Sequence, residues 1–258
     1  FAPWRPRPAG ALAIFAGYAA LAALALAAPR LRRRGGMPGF LADFYPLVAA
    51  VGLYTAIGMG NAAAGVSHDA AVQRWEQALF GGQPSLEWIR AAPWPWLSWA
   101  LHAAYLSYYF ILAGAPLVLW LSGRRDGARR ATLAMMAAFY VCYAVFHLFP
   151  VAGPRYLFPL ADNAATRTAI ARFTQRLLDG GAAWGTAFPS SHVAVALVAA
   201  GAALAEWRRL GLPLLAAAIL LTLGTVYGQF HYAVDALAGA LVAAAILGVM
   251  RPRTKIAG

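Results

Sequence analysis

Two short polar stretches interrupt an otherwise apolar chain, and their residue types suit one kind of chemistry. Residues 188–192 read Phe-Pro-Ser-Ser-His, and residues 231–235 read His-Tyr-Ala-Val-Asp. Each stretch begins a long apolar run, and one apolar hairpin separates them. Because a membrane hairpin returns to the face that it left, we expect His192, His231 and Asp235 to meet at one membrane surface. Two imidazoles and a carboxylate can carry out phosphoryl transfer through a phosphohistidine without a metal ion.

The first stretch has the composition of a helix start. Proline is favoured in the first turn of a helix, and Ser190 or Ser191 can cap it. The unpaired N–H groups and the positive dipole at such an end suit a phosphate group. The alternative is an ordinary helix cap with an incidental histidine at position 192.

The second stretch places His231 and Asp235 four residues apart, on one face of a helix. The carboxylate can accept a hydrogen bond from one ring nitrogen and leave the other nitrogen free as a nucleophile. The alternative is a polar pair buried between helices, although ionisable residues inside membrane spans are usually functional. Upstream, Arg155 follows Gly153 and Pro154, a rigid turn that can aim a guanidinium at phosphate. By itself this arginine is also typical of an interfacial anchor.

The composition indicates an integral membrane protein. Of 258 residues, 62% are hydrophobic and 12% are charged, which is about half the charged fraction of soluble proteins. The net charge of +12 then relates to membrane topology and lipid head groups, and no nucleic-acid-binding module accompanies it. One cysteine excludes an intrachain disulfide and a thiolate zinc site. Scattered carboxylates argue against a two-metal site, so we predict no metal and no cofactor.

The apolar runs predict an all-α, multi-pass transmembrane helical bundle. A helix needs about 20 apolar residues to cross a bilayer, and seven runs approach this length: 10–28, 40–60, 96–121, 131–150, 189–206, 212–227 and 232–250. We interpret them as six core spans plus one accessory N-terminal span. Residues 1–36 would form the accessory span with its basic connection, and residues 37–258 the catalytic domain.

The two longer loops, 61–92 and 156–187, are predicted to carry short interfacial helices. In the second loop Ile170, Phe173 and Leu177 share one helical face, while arginines fall largely elsewhere. This pattern predicts a basic amphipathic helix on the membrane surface, with a solvated loop helix as the alternative.

The distribution of arginines predicts how the chain is oriented in the membrane. Short basic connections follow runs one, three, five and seven, so these ends are expected in the cytoplasm. The outward surface of a plasma (inner) membrane would then carry Arg155, His192, His231 and Asp235. Arg5 and Arg7 violate this pattern slightly, so the first run is either accessory or preceded by further chain.

The chain resembles the type 2 phosphatidic acid phosphatase superfamily of lipid phosphatases and phosphotransferases. The resemblance rests on residues that follow one another at predicted helix ends: Arg155, the Pro-Ser-Ser-His of residues 189–192, and His231 with Asp235. The resemblance covers roughly residues 40–250. It implies that His231 is the nucleophile, Asp235 its orienting partner and His192 the acid for the leaving group. It also implies that Arg155 and the region of Ser190 and Ser191 bind phosphate oxygens.

Departures from the phosphatase pattern point to one branch. Phosphatase members usually have a lysine where this chain has Leu148, and Ser-Arg where it has Gly224 and Thr225. The sequences around residues 153–156, 188–192 and 227–235 resemble instead the inositol phosphorylceramide synthase branch, whose members move a phosphorylated head group between lipids. Possible head-group residues are Tyr156, Tyr227, Tyr232 and His147. Two helical stripes of polar-tipped side chains either line a cavity or pack between spans: His102, Tyr105 and Tyr109 form one, and Tyr140, Tyr143 and His147 form the other.

The function predicted from these patterns is metal-independent transfer of a phosphorylated head group between lipid or alcohol hydroxyls. Its partners would be membrane lipids, namely a phospholipid or lipid phosphate donor and a lipid or polyol acceptor. One alternative is a lipid phosphate phosphatase acting on a monoester or pyrophosphate. Another is a non-catalytic membrane subunit or a transporter with the same fold.

Overall fold

The computed structural model describes residues 8–250, with side chains from residue 16 onward except at residue 18. Within that range the chain is all-helical, without strands. Its helices are α1 (Pro8–Arg34), α2 (Gly36–Ala64), α3 (Asp69–Phe80), α4 (Pro84–Ala91), α5 (Pro95–Leu121), α6 (Arg125–Leu148), α7 (Pro154–Leu157), α8 (Ala169–Gly181), α9 (Ser191–Glu206), α10 (Arg208–Tyr227) and α11 (Ala233–Val249).

Four of the described helices, α2, α5, α6 and α10, are long and apolar enough to cross a membrane. The helices α9 and α11 are apolar but have only 16 and 17 residues, so each is about 25 Å long against a hydrocarbon core of about 30 Å. The membrane character is therefore supported, while the count of six core spans plus one accessory span is not confirmed.

Helix α9 lies at the centre of the bundle and packs against α5, α6, α10 and α11. Most of its buried side chains are alanine and valine, whose small size lets neighbouring helices approach closely. One close approach is at Gly239 of α11, where an added Cβ would lie 2.4 Å from the carbonyl oxygen of Ser190. Glycine at this position therefore brings the start of α11 against the start of α9.

The two ends of the bundle differ in character. At one end, Asp43 of α2 accepts hydrogen bonds from Arg32 of α1 at 2.9 Å and Arg129 of α6 at 3.0 Å. Glu206, the last residue of α9, pairs there with Arg130 at 2.8 Å. His192 lies in the first turn of the same helix. The predicted site residues are therefore at the opposite end from these ion pairs.

The site end is covered by the short helices of the two longer loops, α3 and α4 from the first and α7 and α8 from the second. Helix α8 packs on α5 and buries Ala171, Thr174 and Leu178. Two members of its predicted apolar face point away from the bundle, since Phe173 is 52% exposed and Leu177 is 39% exposed. This outer apolar face is the surface that a membrane interface would cover.

Candidate active site

His231 lies in the turn between α10 and α11, and its ring is held in one tautomer. Its Nδ1 is 3.0 Å from the carbonyl oxygen of Ala187. Because a carbonyl only accepts hydrogen bonds, Nδ1 carries the proton and Nε2 has a free lone pair. Burial lowers the pKa of His231 to about 4, so the ring is neutral at physiological pH. A neutral imidazole with an unprotonated Nε2 is the form that can act as a nucleophile.

Asp235 is fully buried in the first turn of α11. One of its oxygens, Oδ2, accepts a hydrogen bond from the backbone N–H of Tyr232 at 2.8 Å and lies 3.4 Å from His231 Nδ1. The other oxygen, Oδ1, has no hydrogen-bond partner. The carboxylate is thus beside the ring nitrogen, as the spacing predicted, but the Ala187 carbonyl is the nearer acceptor. Asp235 therefore caps the helix and places a carboxyl group next to Nδ1.

His192 faces His231 from the start of α9, with 5.7 Å between the ring centroids. Two tyrosines of α5 hold its ring: the Tyr108 ring centroid is 4.3 Å away, and the Tyr105 hydroxyl is 3.4 Å from Nε2. The second nitrogen, Nδ1, is buried without a partner. One phosphoryl group between the two histidines would be in reach of both rings.

Arg155 reaches the same place from α7. The preceding Gly153 has a φ of 98°, and an added Cβ would lie 3.0 Å from the Ala187 side chain, so this turn requires glycine. The Arg155 side chain is 11% exposed, and its Nη2 is 2.6 Å from Oδ1 of Asp179. Its Nη1 is buried and has no hydrogen-bond partner among the described residues. A guanidinium with one buried, unpaired donor is suited to an anion such as phosphate.

These side chains line one small cavity of about 40 Å³, enclosed by Tyr54, Tyr105, Ala152, Arg155, Tyr156, Leu178, Ala182, Ala183, Thr186, Ala187, His192, Phe230 and His231. Within the described part of the chain, Arg155 is the single arginine or lysine in this lining. A larger groove of about 650 Å³ among α1, α2 and α5 has no ionisable side chain among the described residues that line it. His192, His231 and Arg155 therefore meet at the smaller cavity, away from this groove.

The two serines lie at the start of α9 but do not line the cavity. Ser190 is fully buried, and its hydroxyl accepts a hydrogen bond from the N–H of Val193 at 3.4 Å. Ser191, the first residue of the helix, is 4% exposed. Ser190 thus acts as the predicted N-cap, and a phosphate-binding role for the pair stays a prediction.

Of the four candidate head-group residues, the structure brings only Tyr156 to the cavity. The Tyr227 hydroxyl donates to the carbonyl oxygen of Ala92 at 2.7 Å. The Tyr232 hydroxyl donates to Oδ1 of Asp69 at 3.0 Å. His147 is exposed on α6, away from the cavity lining. The two other tyrosines therefore fix loops to one another.

Asp69, the first residue of α3 in the longer loop 61–92, connects the two turns that carry the site. Its carboxylate accepts hydrogen bonds from the N–H groups of Ala152 and Gly153, both at 2.8 Å, and from the Tyr232 hydroxyl at 3.0 Å. The first two belong to the turn before Arg155, and Tyr232 follows His231. A single buried carboxylate thus fixes the relative position of Arg155 and His231.

Glu76, two turns further along α3, supports the same region and was also missed. It is fully buried, and its Oε1 accepts a hydrogen bond from the N–H of Ala233, the first residue of α11. Between the two acids, Gln73 donates to the Tyr232 hydroxyl at 3.0 Å. Polar residues at positions 69, 73 and 76 lie on one helix face, and this spacing was the sequence signal available.

Glu76 is expected to make stability depend on pH. Burial raises its pKa from an ordinary 4.5 to about 7, and its Oε2 has no hydrogen-bond partner. The folded state holds the Glu76 proton more tightly than the unfolded state does. The stabilisation that protonated Glu76 gives the folded state is therefore complete below about pH 4.5 and is lost as the pH rises through about 7. We expect wild type to lose up to about 3 kcal/mol relative to Glu76→Gln across this window. Thermal unfolding in detergent between pH 4.5 and 8 measures it.

The control for this prediction is Asp126→Asn, which neutralises an exposed carboxylate on α6 at the opposite end of the bundle. The stability difference between wild type and this control should stay constant with pH. Parallel pH curves for wild type and Glu76→Gln would contradict the prediction.

In a comparison with known families, a family model described as the PAP2 superfamily matches residues 70–249. The matched range covers more than half of the chain and contains Arg155, His192, His231 and Asp235. No curated protein and no solved structure matches the chain.

Proposed function

The chain belongs to the PAP2 superfamily, and on that premise we propose that it is a membrane enzyme that moves a phosphorylated head group between lipid or alcohol hydroxyls. Members of the superfamily are generally phosphatases or phosphotransferases that act on lipid phosphate substrates. The observation that carries the proposal is the tautomer of His231. Its Nε2 is unprotonated in a cavity shared with His192 and with the unpaired Nη1 of Arg155.

In the first half-reaction Nε2 of His231 attacks phosphorus, and the bond from phosphorus to the departing alcohol oxygen breaks. His192, which takes up a proton when the anionic donor is bound beside it, gives that proton to the oxygen. The phosphorylated ring becomes positively charged, and the Asp235 carboxylate 3.4 Å from Nδ1 stabilises this charge. Arg155 neutralises the negative oxygens on phosphorus.

In the second half-reaction the acceptor hydroxyl gives its proton to His192, which is now neutral. The acceptor oxygen bonds to phosphorus as the bond from phosphorus to Nε2 breaks. His231 returns to its neutral form with the proton on Nδ1, and His192 is protonated for the next cycle. The chain's own residues supply both proton transfers, so the proposal needs no metal or cofactor.

The charge of the cavity supports transfer from a phosphodiester. Leu148 is 79% exposed and does not line the cavity. At Gly224 an added Cβ would lie 2.4 Å from the carbonyl oxygen of Leu101, and Thr225 is fully buried. Among the described residues that line the cavity, Arg155 is thus left as the single guanidinium, which suits the single negative charge of a diester better than the dianion of a monoester. The resemblance to the inositol phosphorylceramide synthase branch supports the same choice.

The proposal extends to location and organisation. We propose that the site opens at the extracytoplasmic face of the plasma (inner) membrane, because the arginine-rich connections are at the other end of the bundle. We also propose that residues 37–258 form the catalytic domain and that residues 1–36 are accessory. The packing of α1 on α2 and the Arg32–Asp43 ion pair would attach the accessory part.

The test compares two donors in mixed micelles: a phosphodiester phospholipid and phosphatidic acid. Each is incubated with purified enzyme, with and without lipid or polyol alcohols, and free phosphate and new phospholipid are measured separately. We expect faster turnover of the diester and formation of new phospholipid at the expense of hydrolysis. Rapid phosphate release from phosphatidic acid, unchanged by any acceptor, would establish the lipid phosphate phosphatase alternative. His231→Ala enzyme provides the blank.

A further inference from the structure

A second pocket, of about 270 Å³, lies next to the catalytic cavity and is lined by Ile89, His102, Leu160, Thr166, Ala171, Arg172, Gln175, Arg176 and Gly228. We call it the arginine pocket. Like the catalytic cavity, it is formed by α5, α8 and the turn after α10. The Phe230 ring, which lines the cavity, contacts Tyr105 of the cavity lining at 4.4 Å and His102 of the arginine pocket at 5.7 Å. Phe230 therefore connects the linings of the two spaces.

The arginine pocket carries unneutralised positive charge. Arg172 and Arg176 are one turn apart on α8, and like charges at this spacing destabilise a helix. Among the ion pairs of the described residues, neither has a carboxylate partner, whereas Arg155 pairs with Asp179 and Arg167 with Asp162. The Nε of Arg176 donates instead to the Arg172 carbonyl oxygen at 3.3 Å. Two adjacent guanidiniums without a carboxylate form a site suited to phosphate oxygens.

His102 gives the pocket a buried polar wall. It is 4% exposed, and its Nδ1 lies 2.8 Å from the Ser98 carbonyl oxygen. This contact fixes the proton on Nδ1 and leaves Nε2 as an acceptor. An acceptor beside two cationic donors matches a ligand that carries both anionic oxygens and a hydroxyl group.

We propose that the arginine pocket is a second phosphate-binding site, distinct from the cavity that holds the reacting phosphorus. Its ligand is a hydroxylated group that bears a phosphate, present either on a lipid head group at the membrane surface or as a soluble phosphate ester. The exposed apolar face of α8, with Phe173 and Leu177, would keep the pocket at the level of lipid head groups. Binding does not depend on the proposed chemistry. If that chemistry is correct, the pocket adds affinity for an anionic donor or acceptor.

The experiment measures binding without turnover, in enzyme that carries Arg155→Gln and His231→Ala to remove the catalytic phosphate site. One arm titrates glycerol 3-phosphate into protein in phosphatidylcholine nanodiscs by calorimetry. The other arm measures retention of phosphatidic acid against phosphatidylcholine by native mass spectrometry. We expect Arg172→Gln with Arg176→Gln to weaken binding roughly tenfold or more in the arm that supplies the ligand. The matched control is Arg208→Gln with Arg209→Gln, which removes the same charge from exposed positions at the other end of the bundle.

Loss of binding in the first arm identifies the ligand as a soluble phosphate ester. Loss of binding in the second arm identifies it as a lipid head group. Arg176→Glu serves as an independent variant, because the new carboxylate can pair with Arg172 on the same helix and should block the pocket in the same way. Equal binding by the arginine variants and the control in both arms would overturn the proposal. Since no turnover is measured, failure of the proposed enzymatic reaction would not affect this outcome.

Discussion

Replacement of His231 by alanine is expected to abolish turnover, with a loss in kcat of about 10⁴-fold or more. The reason is that Nε2 of His231 is the nucleophile in the proposed reaction, and His192, the other imidazole in the cavity, serves the proton transfers. The covalent intermediate should disappear as well. Rapid quenching in alkali, followed by measurement of protein-bound phosphate from a labelled donor, detects the phosphohistidine directly.

His192→Ala should also cause a large loss, and the double variant should be little worse than His231→Ala alone. The two residues serve the same chemical step, so their effects are expected to be strongly non-additive. A donor whose leaving group needs no proton should restore phosphoenzyme formation in His192→Ala and not in His231→Ala. The control is His147→Ala, since this histidine is exposed on α6 outside the cavity lining. Normal activity in His231→Ala would refute the mechanism.

Asp69→Asn is expected to lower kcat/KM by about 10²-fold and the free energy of unfolding by about 3 kcal/mol. The two carboxylate oxygens accept separate backbone hydrogen bonds, Oδ2 from Ala152 and Oδ1 from Gly153. An asparagine side chain has only one acceptor oxygen, so one N–H group would face another donor. The turn before Arg155 would shift and misalign the guanidinium relative to His231. Steady-state kinetics and thermal unfolding measure the two effects.

The control for this variant is Asp126→Asn, at an exposed position on α6 at the opposite end of the bundle. It removes the same charge and should leave both quantities close to wild type. If Asp69→Asn is folded at the assay temperature and retains full activity, Asp69 does not position the site. Activity lost only at temperatures where the variant unfolds would assign it to stability alone.

The sequence alone was sufficient to predict the helical fold and the order of the site residues. Long apolar runs in a chain with 12% charged residues permit little besides membrane helices, since backbone groups in lipid must be satisfied within the segment. The apolar hairpin between His192 and His231 returns the chain to the same end of the bundle for the same reason. The four-residue spacing of His231 and Asp235 put both on one helical face, and the structure has them 3.4 Å apart.

Sequence patterns could not tell which way other polar side chains point. Tyr227, Tyr232 and His147 are close in sequence to site residues or share a stripe with other polar side chains, but they do not line the cavity. The direction of a helical side chain is set by the helices that pack around it. The number of membrane spans could not be settled from sequence patterns either, because α9 and α11 are shorter than a bilayer's hydrocarbon core and lie against other helices.

The residues that hold the site in place were decided by tertiary structure alone. Ala187 fixes the tautomer of His231 through a carbonyl that every residue has, so no side-chain pattern marks it. Asp69 and Glu76 contact turns that are more than 80 residues away in the chain. Local periodicity records which face of a segment is apolar, whereas these contacts depend on where distant segments meet. The amino-acid types thus determined the chemistry available to this protein, and the packing of α3 against the two turns decided its geometry.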